Sequence, residues 1–396
     1  MKLKTLRNNM NLKGKRVLVR VDTNVSLIKG KIIEGSHGKV ARAAVDLEWL
    51  AQRGAKVIIA THLGRPCGKV IPAYSVKPIA KRLSSLLGTK VPVARGVVGP
   101  KVQSAVSRMN NGDFLLLENV RFDPRETKNS TAFAQELASL ADMYVNDAFG
   151  DSHRAHTSID VITSEFPSYA GPLLLNEVQV LEKISKQPKP PFYLFIGGAK
   201  INTKMSLMEH LLPMVDKVFI GGAIANTFFH AKDKNQYLGK SVVDESETKL
   251  ASQILKKWSE KIILPIDVVV ARSCRKDSRS RTVRSDEIEK GEMIVDVGSA
   301  SLKMYSKELL GAKTILWNGP FGYYECGPFG KGSEELARII ASRTGKAVTV
   351  VGGGDTVAVV ENAGVANRFS LLSSGGGAML AFLAGEQMPG LEALRL

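Results

Sequence analysis

The chain has 396 residues, 44% of them hydrophobic and 23% charged, a length that suggests two or three domains, each burying its own core. The 55 Lys and Arg against 38 Asp and Glu leave a net charge of +17, which would attract polyanions, nucleic acid included, and suits a solvated basic surface equally well. No apolar run reaches membrane-span length and residues 1–20 lack a signal peptide's apolar core, while Cys67, Cys274 and Cys326 lie far apart without a C-x-x-C pair. Metal clusters and a disulfide framework are therefore not expected, and a reducing cytoplasm fits.

Along the chain, Lys15–Asp22 reads as a buried strand ending in an acid. Val40–Leu50 has helical spacing, Lys56–Ala60 is a strand running into T-H-L-G-R-P, and Tyr74–Leu87 is a helix. Phe114–Leu117 (strand), Phe133–Leu140 (helix) and Met143–Val145 (strand) follow. Leu173–Ile184 carries apolar residues at 174, 178, 181 and 184, one helical face, before the breaker K-Q-P-K-P-P at Lys186–Pro191. The alternation then restarts, with strands at 192–196, 217–220, 261–270, 313–317 and 347–351 and helices at 203–212, 246–260 and 333–342. This pattern predicts an α/β fold of two doubly wound parallel-sheet domains joined by a helix. Arg272–Arg284 is the densest basic run, without periodicity or aromatics, and reads as a solvated loop.

In such sheets ligands bind beyond the carboxyl ends of the strands. In the first half those ends carry Asp22 and Asn24, His62 and Arg65, Glu118 and Arg121, and Asn146 and Asp147, with Arg154 in the polar stretch after them. Each taken singly reads as a surface residue, but arginines gathered at strand ends suit carboxylate and phosphate. The second half carries glycine turns at Ile196–Lys200, Ile220–Ala223, Thr349–Thr356 (T-V-V-G-G-G-D-T) and Ser373–Ala378. Three glycines between a β-branched strand and a helix start let the backbone close around a phosphate, with Asp355 beside it for Mg²⁺. The plain alternative is a tight turn with Asp355 as helix cap, which one triplet would allow but the recurrence argues against. Lys200 and Lys204, if helical, share one face near the turn, and Glu325 after W-N-G-P could accept from ribose hydroxyls. An anion site on one domain and a nucleotide site on the other suit a small-molecule kinase with an acidic substrate.

These motifs closely resemble phosphoglycerate kinases over essentially the whole chain. R-V-D-T-N-V-S, T-H-L-G-R-P, L-L-L-E-N-V-R-F, Y-V-N-D-A-F-G-D-S-H-R-A-H, G-G-A-K, W-N-G-P, G-G-G-D-T and S-S-G-G-G-A occur in that family's order. The resemblance implies reversible phosphoryl transfer between 1,3-bisphosphoglycerate and ADP by a monomeric cytoplasmic glycolytic enzyme with two Rossmann-like domains and a hinge helix. It implies a phosphoglycerate-binding domain over 1–170, an inter-domain helix and linker over 171–190, and a nucleotide-binding domain over 191–378. Residues 379–396 would return to the first domain as a tail. Asp22, Asn24, His62, Arg65, Arg121 and Arg154 would hold the phosphoglycerate. Gly198, Ala199, Lys200, Lys204, Gly222, Ala223, Asn318, Pro320, Glu325, Gly353, Gly354, Asp355 and Thr356 would hold the nucleotide. Asp355 would also meet the Mg²⁺, and Lys200, Lys204, Gly354 and Gly377 would serve the transfer itself.

The chain departs from the family at Thr23 and Ser26, at Thr203 in place of an acid, at Ala223 in place of glycine, and at Ser299 in place of proline. Thr203 and Ala223 bear on nucleotide affinity more than on reaction type. The family's catalytic arginine is also displaced. Counting forward from Asp22 reaches His37, counting back from Gly54–Ala55–Lys56 reaches Lys39, and Arg42 lies one turn further on. Lys39 is the expected replacement, because insertions are better absorbed in the loop I-E-G-S-H-G before it. Two rival readings stand beside the kinase. One is a catalytically weakened nucleotide or metabolite sensor on the same fold, motivated by the departures; the other is a basic nucleic-acid-binding protein, motivated by +17 and without motif support.

Overall fold

The structure is a computed structural model describing residues 1–6, 10–28, 30–32, 34–35, 37–373 and 375–396. Ser36, Ser374 and the side chain of Thr203, which belong to motifs named above, lie outside that description. The chain divides into two units, Met1–Gln179 with Gln387–Leu396, and Val180–Glu386.

In unit 1, β1 (Arg16–Val21), β2 (Lys56–Ala60), β3 (Phe114–Leu116), β4 (Met143–Asp147) and β5 (Ser168–Ala170) form one sheet in the order β3-β2-β1-β4-β5. Every pairing in it is parallel. The apolar run of β1 explains its central place, since Val17, Leu18, Val19 and Val21 are buried toward both faces, as a sheet covered on two sides requires. On one face α1 (Lys39–Gln52) inserts Val40, Ala43, Leu47 and Leu50 against Val17, Val19 and Ile59. On the other, α3 (Pro100–Ser107) and α4 (Thr131–Ala138) cover Leu18 and Ile58 with Val102, Val106, Phe133 and Leu137. Between them in sequence, α2 (Lys77–Leu87) joins the first face through Ile79 and Leu83 and ends at Gly88, whose φ of +64° caps the helix. The C-terminal segment completes this unit. The Lys4 N–H donates to the Leu394 carbonyl at 2.9 Å, and the Gly390 N–H to that of Ser152 at 3.0 Å. This segment begins at Gln387 rather than 379, because Met379 and Leu383 are buried within unit 2.

The chain passes to unit 2 along α5 (Pro172–Lys186), whose expected apolar face, Leu174, Val178, Leu181 and Ile184, is buried. Unit 2 repeats the winding. Here β6 (Phe192–Ile196), β7 (Lys217–Ile220), β8 (Ile262–Ile263), β12 (Thr314–Asn318), β13 (Val348–Gly352) and β14 (Leu371–Ser373) form a parallel sheet ordered β8-β7-β6-β12-β13-β14. The intervening β9 (Asp267–Ala271), β10 (Ser280–Arg284) and β11 (Met293–Val297) make a separate antiparallel sheet, β10-β9-β11. The strand expected over 261–270 is thus two strands in two sheets, broken at Leu264-Pro265, and the basic run expected as a loop ends in the outer strand β10. The helices are α6 (Met205–Leu211), α7 (Gly222–Lys232), α8 (Thr248–Trp258), α9 (Ser299–Glu308), α10 (Lys331–Ala341), α11 (Gly354–Asn362) and α12 (Gly376–Leu383). Three of these, α7, α11 and α12, start inside the glycine turns, so each turn feeds a helix N-terminus as a phosphate cradle would require.

Both sheets reverse their winding direction between their first and fourth strands, at β1/β4 and at β6/β12. That switch point is where an open α/β sheet leaves a crevice at its carboxyl edge.

Candidate functional site

In unit 1 the switch point gathers cations around one buried carboxylate. Asp151, 2% exposed, lies just after β4. It accepts from Arg20 Nη2 at 2.9 Å and lies 3.2 Å from His62 Nδ1, 3.4 Å from Arg121 Nη2 and 3.7 Å from Arg154 Nη1. Burial alone would raise the Asp151 pKa, but His62 and Arg20 hold it well below the usual carboxylate range. Burial keeps His62 below its ordinary value against the pull of Asp151, lowers Arg121 to about 10, and with Arg121 lowers His156 to about 4. The Arg121 Nε is buried with no hydrogen-bond partner among the described residues. Here is a donor that an anionic ligand could satisfy.

Beside this cluster, Lys39 opens α1, and its Nζ donates to Asp22 Oδ2 at 2.7 Å. Burial lowers the Lys39 pKa, and Asp22 more than offsets it, so the ammonium stays charged. Arg42, one turn on, lies 3.5 Å from Glu177 instead, and His37 is exposed. Asn24 accepts from the Gly64 N–H at 2.9 Å, which ties the β1 end to the T-H-L-G-R-P loop. Arg65 on that loop is exposed. Thr23, the departure in R-V-D-T-N, is buried with its hydroxyl 2.7 Å from that of Thr61, so its polarity is satisfied.

Two strand-end acids turn out to be structural. Glu118 accepts from the Ser75 hydroxyl and the Val76 N–H at the entry to α2. Asp147 accepts from the Leu174 N–H at 3.1 Å, while Asp46 accepts from Leu173 at 3.3 Å, so the two cap the start of α5. Arg20, Asp151 and Glu126 were missed by the sequence reading. Arg20 donates from Nε to the Ser158 hydroxyl at 3.0 Å, and that hydroxyl donates to Glu126 at 2.6 Å. A fully buried arginine in an apolar strand was the available signal, since such a charge needs partners.

In unit 2 the switch point lies between the ends of β6 and β12. The Gly198 N–H donates to the Pro320 carbonyl at 3.0 Å, and the Ile224 N–H to that of Gly198 at 3.1 Å. A Cβ on Gly319, at φ +93°, would stand 2.3 Å from the Gly197 carbonyl oxygen, and one on Gly222 2.7 Å from the Gly198 nitrogen. Only glycine permits this approach of three strand ends. Lys204, 9% exposed, donates to Asn318 Oδ1 at 2.5 Å, and Asn318 Nδ2 donates to the Gly352 carbonyl at 2.9 Å. Burial brings the Lys204 pKa down to about 8 against the attraction of Asp355. Thr356 accepts from the Gly319 N–H at 2.8 Å, and Asp355 accepts from the Tyr324 hydroxyl at 2.9 Å.

The two lysines do not share a helical face. Lys200 is exposed in the loop, while Lys204 ends a short 3-10 turn, Asn202–Lys204, and points inward. The reason is Glu247, also missed, whose carboxylate accepts from the Ile201 and Asn202 N–H groups at 2.5 and 2.9 Å and caps the turn. Ala199, Gly354, Asp355, Glu325 and Gly377 are exposed; Gly353, Ala223 and Pro320 are half-buried. Among the described residues, no three His, Cys, Asp or Glu groups converge as a metal site. Nor is any helix there long and apolar enough to cross a membrane.

The cysteines, expected apart and reduced, do not all stay so. Cys274 and Cys326 form a disulfide across 52 residues of sequence, with Cα atoms 5.6 Å apart. Separation along the chain had argued against it, but β9 and the turn after β12 end side by side. Cys67 is free and exposed.

Two doubly wound units, one ending in guanidinium groups and the other in glycine-flanked helix starts, are the build of a small-molecule phosphotransferase. The family model described as phosphoglycerate kinase matches residues 7–386. Phosphoglycerate kinase of Pelotomaculum thermopropionicum is 43% identical over 394 residues, covering 99% of this chain and 98% of its own. That of Moorella thermoacetica is 43% identical over 389 residues, covering 98% of each. Among solved structures, the Coxiella burnetii enzyme superimposes with a TM-score of 0.82 at 36% identity over 99% of both chains. The Pyrococcus horikoshii enzyme gives 0.87 at 29% identity over 98% of both. The chain belongs to the phosphoglycerate kinase family. It is accordingly a glycolytic phosphotransferase with a carboxyl group as acceptor.

Proposed function

We propose that the protein transfers a phosphoryl group reversibly between 1,3-bisphosphoglycerate and ADP, giving 3-phosphoglycerate and ATP, as a cytoplasmic monomer. Unit 1 takes the phosphoglycerate through Asp22, Asn24, His62, Arg65, Arg121 and Arg154, with Arg20 and Asp151 orienting the cationic groups. Lys39 supplies positive charge to the transferring group. Unit 2 takes the nucleotide on the Gly198–Lys200 loop, the start of α7 at Gly222 and Ala223, and Asn318 and Pro320 after β12. Glu325 receives the ribose, and Gly353 to Thr356 take the phosphates.

The carrying observation is the Lys204 ammonium fixed on Asn318 at the unit 2 switch point, with Asp355 at the neighbouring helix start. Phosphoryl transfer asks for fixed positive charge around the migrating group more than for covalent chemistry. Lys200 and Lys204 provide it, with Gly354 and Gly377 exposing helix N–H donors. Asp355 suits Mg²⁺, since that ion is held by one or two carboxylates plus substrate phosphates rather than by a protein cage. When bound, the ion neutralises phosphate charge.

A coupled assay for ATP-dependent phosphorylation of 3-phosphoglycerate tests the reading. Turnover that is removed by EDTA and restored by Mg²⁺ is expected. ADP binding without turnover would favour the sensor reading instead.

A further inference from the structure

The basic run before β10 and the Cys274–Cys326 bond have no part in the transfer described above. We infer that Cys274–Cys326 is a reversible thiol–disulfide modification site whose oxidised form holds the turn bearing Tyr324 and Glu325 in place for the nucleotide. This rests on the reading of unit 2 as the nucleotide side.

The geometry connects the sulfur atoms to that side through a few bonds. Cys326 closes the 3-10 turn Tyr324–Cys326, and its N–H donates to the Tyr323 carbonyl at 2.9 Å. Inside the same turn Tyr324 donates its hydroxyl to Asp355 at 2.9 Å, and Glu325 points to solvent. Besides the disulfide, the turn is held by the Tyr323 N–H bonded to the Val295 carbonyl at 2.9 Å, by Tyr324 packed on the main core of unit 2, and by Tyr323 and Cys326 packed on the small cluster of Ala271, Val295 and Phe329. Tyr324 is anchored on the main core, but the C-terminal side of the turn meets only the small cluster, through Cys326, and there the disulfide adds a covalent cross-link to the chain just beyond β9.

The surroundings suit exchange. Both cysteines are only partly buried, so a thiol can reach them. Arg272, Arg275 and Lys276 flank Cys274, while Arg281 and Arg284 are already paired with Glu292 and Asp286. The basic segment lies directly against the turn, because a Cβ on Gly327 would stand 3.0 Å from Lys276 Cγ. Cations beside a cysteine stabilise its thiolate, which makes it a better leaving group in exchange. A dithiol attacks one sulfur as its thiolate, forms a mixed disulfide and expels the other cysteine as a thiolate. Its second thiol then displaces the first cysteine. Two electrons reach the protein, the dithiol leaves as its own disulfide, and its two protons end on Cys274 and Cys326.

The test uses the full chain equilibrated with oxidised glutathione or with dithiothreitol. Alkylation counted by intact mass should find one thiol in the oxidised protein, Cys67, and three after reduction. Isothermal titration should show the ADP Kd rising about fivefold or more on reduction, the scale of a typical coupling between sites, with the 3-phosphoglycerate Kd unchanged. Cys326→Ser should hold the reduced value in both buffers. Three alkylatable thiols in the oxidised protein, or one ADP Kd in both states, would overturn the inference. Glu325→Ala and Asp355→Ala separate the two ways of failing. If they weaken ADP while reduction does not, the tether alone is wrong; if they too leave ADP untouched, the nucleotide-side reading falls with it.

Discussion

At the scale of single residues, Lys39 is our proposed replacement for the family's arginine, and it is charged and fixed on Asp22 at 2.7 Å. An arginine in such a position is worth roughly 10³–10⁵ in turnover, and a lysine offers the charge without the bidentate fork. Lys39→Ala should therefore lower kcat at saturating substrates by about 10²-fold, with Arg42→Ala costing less than about threefold. The reverse order would assign the charge to Arg42. His156 gives a pH prediction, with its pKa held at about 4 by burial and Arg121. The folded state disfavours the charged ring, so stability is complete above the unfolded value near 6.5 and is lost as pH falls toward 4. With allowance for partial exposure, wild type should lose about 1 kcal/mol more than His156→Gln between pH 7 and 5 in urea denaturation. Equal losses would remove His156 as the cause.

Among elements, the strand-to-helix turns decide what each site can hold, and the 3-10 turn Asn202–Lys204 shows how. It presents Lys204 inward because Glu247, 45 residues away from Asn202, accepts two of its N–H groups. Glu247→Ala would leave the buried Ile201 donor and the part-buried Asn202 donor without this partner, at about 1–3 kcal/mol of unit 2 stability. We expect that loss together with a raised nucleotide KM and an unchanged 3-phosphoglycerate KM. A variant with native nucleotide KM would show that Lys204 holds its place through Asn318 alone. The glycine turns were readable in sequence because each follows an apolar strand, and three of the four run straight into a helix start. Glu247 was not, since an acid before an amphipathic helix looks like any first-turn carboxylate. The 261–270 segment misled for a related reason. Pro265 and Asp267 interrupt its apolar residues, but only the pairing partners of β8 and β9 show that the two parts enter different sheets.

For the whole molecule, a charge of +17 places every anionic ligand in an attractive field. The unit 1 site adds four cationic or cationisable groups around Asp151, one of them, Arg154, partly open to solvent-borne ions. The 3-phosphoglycerate KM should accordingly rise several-fold between about 0.05 and 0.3 M salt, as screening shortens the field; a flat KM over that range would mean local hydrogen bonds dominate. Hydrophobic period, glycine punctuation and motif order determined by themselves the α/β class, the alternation in both halves and the family. The strand ends on which Asp22, His62, Arg121 and Asp355 sit were equally plain, because those are local properties of a chain. The tertiary structure decided which of these residues meet. Arg20 reaches Asp151 across 131 residues, Lys204 reaches Asn318 across 114, and Cys274 reaches Cys326 across 52. In a doubly wound sheet, neighbouring strands are separated by whole crossovers of chain. Sequence distance therefore says little about which strand ends lie side by side, and strand order at the switch point settles the pairing.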